Sequence, residues 1–184
     1  MRRPSLAVIL AEDEAHDLFI RQYLIRLNLG LSEIEIYTEP FPEGRGCGEQ
    51  WVRTEYARVV KKYRWRSAKT QTVLVVLIDA DTGDVNRRLR QLEDGLKQHR
   101  MERRGPSECI VHFVPKRSIE TWILCLNDHS VDEDTDYSRR RDIEVQIAPA
   151  ADTFYSWTRP NAAVPSHCIP SLRVAIPEVQ RLEQ

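Results

Sequence analysis

Four short runs, separated by segments long enough to form a helix, constrain the fold of this 184-residue chain most strongly. Residues 6–10 and 73–78 are unbroken apolar runs, residues 110–114 are nearly so, and residues 33–37 alternate between polar and apolar. Continuous β-branched runs are typical of strands covered on both faces, as in parallel sheets. We therefore expect about four strands in a mostly parallel central sheet.

The segments between these runs have the periodicity of helices. In residues 13–29 the apolar side chains fall mostly on one stripe, which predicts a first helix. Residues 49–63 and 85–99 predict two more polar and more basic helices, and residues 118–126 predict a short apolar one. Alternating strands and helices imply right-handed crossovers, so the predicted fold class is an α/β three-layer sandwich.

The pattern divides the chain near residue 127. Residues 1–127 are predicted to form the α/β domain, and residues 128–184 an irregular and helical C-terminal extension packed on the same domain. The periodicity fades after Leu126, and it recovers only near the end, where Pro177 is expected to restart a helix. The pattern assigns no role to residues 128–167.

Composition excludes several classes of protein. Hydrophobic residues make up 41% and charged residues 30%, and no apolar run approaches the roughly 20 residues of a membrane span. The first apolar stretch is short and meets acidic residues at once, which does not fit a signal peptide. The four cysteines are scattered singly, so neither a zinc site nor a disulfide framework is indicated. We expect a cytoplasmic protein without a membrane role.

Acidic residues follow the first and third predicted strands. Glu12 ends the first run, and Asp79 and Asp81 follow the third, with Gly83 allowing a close turn. In an extended chain residues i and i+2 point the same way, and Glu12 joins the pair if the two strands are neighbours. Three carboxylates without histidine or cysteine suit Mg²⁺ or Mn²⁺ at about 2 Å. The alternative is ordinary turn and helix-capping chemistry.

The start of the first helix contains a string that suggests another function. Residues 13–16 spell the DEAH box of ATP-driven helicases, but no phosphate-binding loop precedes them, so we set that interpretation aside. Asp13 and Glu14 are instead expected to begin the helix, and His16 is expected to lie on the surface.

The fourth predicted strand runs into a further group of polar residues. Pro115 stops the strand, Lys116 lies in the loop that follows, and Glu120 falls in the first turn of the next helix. Lys116 is a candidate to neutralise developing phosphate charge, and Glu120 to hold a metal or orient water. A solvated lysine and an acid that complements the helix dipole are the alternatives. Trp122 is expected in the core.

The order of these motifs resembles the TOPRIM fold. A Glu ending the first strand, a D-x-D ending a later one, and a strand running into Pro-x-x-x-x-Glu-x-Trp are found in OLD-family nucleases and in small RloB-like proteins of phage-defence loci. The resemblance implies a metal-dependent nuclease that hydrolyses DNA or RNA phosphodiesters, with Glu12, Asp79 and Asp81 as metal ligands. It also implies a role in bacterial phage defence beside a partner ATPase, and an oligomer is possible.

The resemblance leaves the ligand set and the activity open. Asp13 stands where many relatives have Gly, and the spacing from Asp81 to Gly83 is short, so Glu14 or Asp84 are substitute ligands. One alternative is a TOPRIM-like binding or regulatory module without catalysis. Another is a response-regulator receiver, in which Asp79 is phosphorylated and Lys116 is the accompanying lysine.

Basic residues suggest where a nucleic acid would bind. Residues 51–66 interleave aromatic side chains with cations, as nucleic-acid surfaces do, although a solvated helix face has a similar composition. A Gly-rich loop precedes this stretch and offers backbone N–H groups to a phosphate. The candidate nucleic-acid contacts are Arg45, Arg53, Lys61, Lys62, Arg64 and Arg66.

Overall fold

A four-stranded parallel sheet lies at the centre of the fold. The computed structural model describes residues 4–29, 35–41, 48–81 and 83–183. The strands are β1 (Leu6–Ala11), β2 (Glu35–Thr38), β3 (Thr72–Leu77) and β4 (Ile110–Phe113). All pairs are parallel, in the order β2-β1-β3-β4. The predicted fold class is confirmed, although residues 33 and 34 of the predicted second strand lie outside the described residues.

The helices that connect the strands also agree with the predicted alternation. The chain forms α1 (Glu14–Leu24), which continues into a π-helical turn (Ile25–Leu29), then α2 (Gly48–Ser67), α3 (Val85–Gln98), α4 (Ile119–Leu126), α5 (Glu144–Trp157), α6 (Pro170–Ala175) and a 3-10 helix (Ile176–Glu183). The restart expected at Pro177 is this 3-10 helix. In the described part of the chain, none of these helices has the length and apolar character to cross a membrane.

Each face of the sheet has its own core. In β1 the side chains of Ala7, Ile9 and Ala11 pack on the face that is covered by α1, α4, α5 and α6, whereas Val8 and Leu10 pack on the face covered by α2 and α3. Alternate residues of a strand point to opposite faces, so a run without polar positions serves both cores at once. The unbroken apolar runs in the sequence follow from this three-layer arrangement.

Helix α5 was not predicted from the sequence. Pro149 lies inside it, and proline normally signals a break, which hides the helical period of this segment. Its buried side chains, Ile147, Phe154 and Trp157 among them, belong to the same core as β1 and α1. Residues after 127 therefore complete the core on one face of the sheet.

The buried histidine of β4 makes stability depend on pH. The Nε2 atom of His112 shares a hydrogen bond of 2.8 Å with the hydroxyl of Tyr56. Burial, together with the charges of Arg104 and Arg181, lowers the pKa of His112 well below its ordinary 6.5. As pH falls below 6.5, His112 therefore becomes protonated in the unfolded chain but stays neutral in the folded protein, and the folded protein loses stability.

We expect His112→Gln to remove that loss while keeping an acceptor for Tyr56. Between pH 6.5 and pH 5.5 the wild type should lose about 1 kcal/mol more than the variant. Urea unfolding at pH 7.5, 6.5 and 5.5 measures this difference. Parallel pH profiles for the two proteins would contradict the prediction.

Candidate metal centre

Three side chains converge where β1 and β3 end. Glu12, His16 and Asp79 each place one ligand atom within 4.8 Å of the others. Glu12 directly follows β1, and Asp79 follows β3 by two residues. Because β1 and β3 are paired, with Ala11 opposite Leu77, the two acids leave the sheet side by side. The expected meeting of Glu12 and Asp79 is confirmed.

The two carboxylates are held close together although both carry negative charge when ionised. Oε2 of Glu12 accepts the backbone N–H of Asp79 at 2.9 Å, and Asp79 is only 6% exposed. Burial and the neighbouring charge of Asp79 raise the pKa of Glu12 to about 7. Burial also raises the pKa of Asp79 to about 6, against the effect of His16. A divalent cation would relieve both the burial cost and the repulsion.

His16 is not on the surface, and that expectation is wrong. It is 1% exposed, and its ring bridges Oδ1 of Asp13 at 2.7 Å and Oδ1 of Asp79 at 2.9 Å. The first-turn position explains this, because residue 16 is on the same helical stripe as the buried Phe19, Ile20 and Tyr23. That spacing was the one signal in the sequence that pointed to a buried histidine.

The contacts of His16 define its part in the site. Burial alone would lower the pKa of His16, but the charge of Asp79 and the hydrogen bonds that the ring donates to both aspartates raise it well above the ordinary value. Both ring nitrogens are occupied, so His16 orients the Asp79 carboxylate and offers no lone pair to an ion. The available donors are then carboxylate oxygens, which fit Mg²⁺ or Mn²⁺ better than zinc.

A cleft of about 300 Å³ opens over the acids. Ser118 stands at its wall with a buried Oγ that has no hydrogen-bond partner among the described residues. Acidic side chains outnumber basic ones there, which suits a cation. The lining residues are Glu12, Asp13, Asp79, Asp81, Arg117, Ser118, Glu120, Asp136 and Ser138.

Asp81 lies at this cleft in a conformation that the sequence did not predict. Its φ is +57°, so the backbone is not extended there, contrary to the assumption behind the predicted Asp79–Asp81 pair. Both acids nevertheless line the same cleft. Oδ2 of Asp81 accepts a hydrogen bond from Arg88 at 2.8 Å. In this structure Asp81 lines the site while its carboxylate is bound elsewhere, and its part as a ligand remains a prediction.

The fourth strand contributes one predicted residue and one that was missed. Glu120 lies in the first turn of α4 and lines the cleft, as expected. Nζ of Lys116 instead binds Oδ1 of Asp134 at 2.7 Å, and the lysine is not part of the lining. The next residue, Arg117, supplies the cation at the cleft. Trp122 is fully buried, as expected.

The two substitute ligands have other positions. Glu14 is exposed at the start of α1 and lines a neighbouring cleft that it shares with Glu120. Asp84 caps α3, where its Oδ1 accepts the N–H of Asn86 at 3.0 Å. Neither residue is in the group formed by Glu12, His16 and Asp79.

Most of the basic side chains predicted to bind nucleic acid contact other parts of the fold. Lys61 is exposed and has no ion pair within the described ranges, whereas Arg45 lies outside the described residues. The others have partners: Arg53 pairs with Glu49, Lys62 with Glu39 and Arg64 with Glu108, and Arg66 lies over the ring of Tyr37.

Comparison with known proteins does not supply a family. No protein-family model, curated protein or solved structure matches this chain. The geometry of the acid cluster and the order of motifs in the sequence are therefore what indicate a function.

Metal binding at the cluster should appear as added stability. After treatment with EDTA and dialysis, MnCl₂ is expected to raise the melting temperature of the wild type, because an ion at a hundredfold its dissociation constant adds about 2.7 kcal/mol. Glu12→Gln should lose most of this gain. Glu14→Gln is the matched control, since it makes the same chemical change two residues away at an exposed position. A gain of equal size in all three proteins would place the ion elsewhere.

Proposed function

We propose that this protein is a metal-dependent nuclease that hydrolyses phosphodiesters of DNA or RNA. The observation that supports this most is the pair of buried carboxylates, Glu12 and Asp79, at the ends of two adjacent parallel strands. Ligands of open α/β sheets bind at this edge. The charge of His16 offsets only part of the cost of keeping two acids together there, so the pair forms a suitable site for a divalent ion.

Each residue of the cleft has a part in this proposal. Bound Mg²⁺ or Mn²⁺ would polarise the phosphodiester and lower the pKa of a water molecule. Glu12 and Asp79 hold the ion, and His16 keeps the Asp79 carboxylate oriented through Nε2. Glu120 would accept a proton from the attacking water, while the bond from phosphorus to the leaving sugar oxygen breaks and that oxygen takes up a proton from solvent. Arg117 would stabilise the charge that develops on the phosphate.

The wider role is proposed from the sequence alone. The TOPRIM-like order of motifs supports a cytoplasmic enzyme in a phage-defence system, working beside a partner ATPase. Asp81 would join the ligand set in such an enzyme. Its position in the lining of the cleft is compatible with that part.

The test is cleavage by the purified protein. Plasmid DNA and a long single-stranded RNA are incubated with Mg²⁺, with Mn²⁺, or with EDTA, and the products are separated on gels. We expect nicking or cutting of at least one substrate with a divalent ion and none with EDTA. Binding that persists in EDTA without any cleavage would instead support the non-catalytic module. Transfer of phosphate from acetyl phosphate to Asp79 would support the receiver.

A further inference from the structure

A second cleft lies on the other side of Asp81 from the metal centre. Its volume is about 270 Å³, and it lies between the first turns of α2 and α3. Asp81 lines both clefts and so forms the wall between them. The second cleft has three guanidinium groups, those of Arg53, Arg87 and Arg88.

Arg88 is the central side chain of this cleft. It is only 7% exposed, a rare state for an arginine. Its Nη1 donates to Glu49 and to Oε1 of Gln91, and its Nη2 donates to Asp81 at 2.8 Å. Its Nε is buried and has no partner within the described ranges. A buried donor left without an acceptor costs stability, so its retention points to a ligand.

The cleft is lined by three acidic and three basic side chains, which differ in whether they have partners. The acids that line it are already engaged: Glu49 by Arg53 and Arg88, Asp81 by Arg88, and Asp84 by a backbone N–H of α3. Arg87, in contrast, has no ion pair among the residues that the structure describes, and it lines the same cleft. The guanidinium of Arg87 is therefore available to an anion in this cleft.

A tight turn beside Asp81 ends at a glycine. The N–H of Gly83 donates to the carbonyl of Ala80 at 2.8 Å, which closes a tight turn. A Cβ atom at Gly83 would lie 2.9 Å from that carbonyl oxygen, so a side chain cannot be added without moving the turn. The turn beside Asp81 therefore requires a glycine at position 83.

We propose that the second cleft binds a backbone phosphate of the nucleic-acid strand, next to the phosphodiester held at the metal centre. This rests on the proposed nuclease function and adds the path of the strand to it. The strand runs from Glu12 and Asp79 over the turn at Asp81 to Arg87 and Arg88. The exposed middle of α2, where Lys61 lies, is outside this path.

Binding without metal tests the path separately from catalysis. A fluorescein-labelled single-stranded oligonucleotide, as DNA and as RNA of the same sequence, is titrated in EDTA, and its anisotropy is followed at several salt concentrations. Arg87→Gln is the test variant, because an exposed side chain without an ion pair in the described structure can be changed without unfolding the protein. Lys61→Gln is the matched control, since it removes one equally exposed charge from α2.

Arg87→Gln should weaken binding of the preferred strand by about fivefold at 0.1 M salt and lower the salt slope by about 0.7. Inorganic phosphate should compete with the strand for the wild type more strongly than for this variant. Lys61→Gln should leave affinity and slope unchanged. Three results would contradict the proposed path: an affinity of Arg87→Gln equal to that of the wild type, an equal loss of affinity in both variants, or no binding by the wild type. Cleavage that fails while the Arg87 effect holds would refute the nuclease and leave the phosphate site standing.

Discussion

Asp79→Asn is expected to lower the rate of metal-dependent cleavage by well over a hundredfold. The change removes the charge of the carboxylate at the end of β3 but keeps its shape and an oxygen that can accept from His16. Losing a hydrogen-bond partner of a metal ligand typically costs about 10-fold to 100-fold, so losing a proposed ligand should cost more. His16→Gln, which disturbs only the orientation of Asp79, should fall within that smaller range.

The controls separate a catalytic effect from a loss of fold. Burial raises the pKa of Asp79, which means that its ionised form is unfavourable in the folded protein. Asp79→Asn removes that cost but also the charge that stabilises the protonated ring of His16, so its melting temperature should stay close to that of the wild type when no metal is present. Asp84→Asn changes a nearby acid of the same loop that caps α3, and asparagine caps equally well, so cleavage should persist. Wild-type cleavage by Asp79→Asn would refute the proposed centre.

Phe154→Ala is expected to lower the free energy of unfolding by about 3–5 kcal/mol. Phe154 is fully buried on α5, and its ring lies near those of Phe19, Tyr23, Phe113 and Trp122, at centroid distances of 5.7, 4.8, 5.6 and 6.3 Å. These partners come from α1, β4 and α4. Removing the ring leaves a cavity at the point where the C-terminal segment meets the sheet and its helices.

Urea unfolding followed by both tryptophan fluorescence and circular dichroism measures this effect. Both signals should move together in one transition, shifted to lower urea in the variant. Val145→Ala is the control on the same helix, because Val145 is 79% exposed and its truncation should change stability by less than about 0.5 kcal/mol. Two separate transitions, or a small loss in Phe154→Ala, would show that residues after 127 fold independently.

The sheet and its acids could be predicted because they depend on local pattern. Unbroken apolar runs require cover on both faces, and parallel strands bring their carboxyl ends to one edge. Glu12 and Asp79 meet for that reason alone, once β1 and β3 are neighbours. The position of Glu120 follows in the same way from the start of α4 after β4.

The remaining features depend on tertiary contacts, which cannot be predicted from the local sequence pattern. Helix α5 is stabilised by its packing on α1 and α4, which outweighs the unfavourable Pro149. His16 is buried because two aspartates satisfy its ring, whereas its polarity alone suggested exposure. Arg117 takes the position at the cleft that was predicted for Lys116, because the acidic segment after α4 binds the lysine at Asp134.

The position of Asp81 in the wall between the two clefts connects them thermodynamically. Its carboxylate accepts a hydrogen bond from Arg88 in the second cleft. It is also close enough to the candidate metal centre for its charge to raise the pKa of Glu12. A phosphate that accepts the hydrogen bond of Arg88 in place of Asp81 would leave the Asp81 carboxylate available to a metal ion. Linkage then requires the reverse as well: an ion that recruits Asp81 frees Arg88 for a phosphate, and each ligand raises the affinity for the other by the same factor.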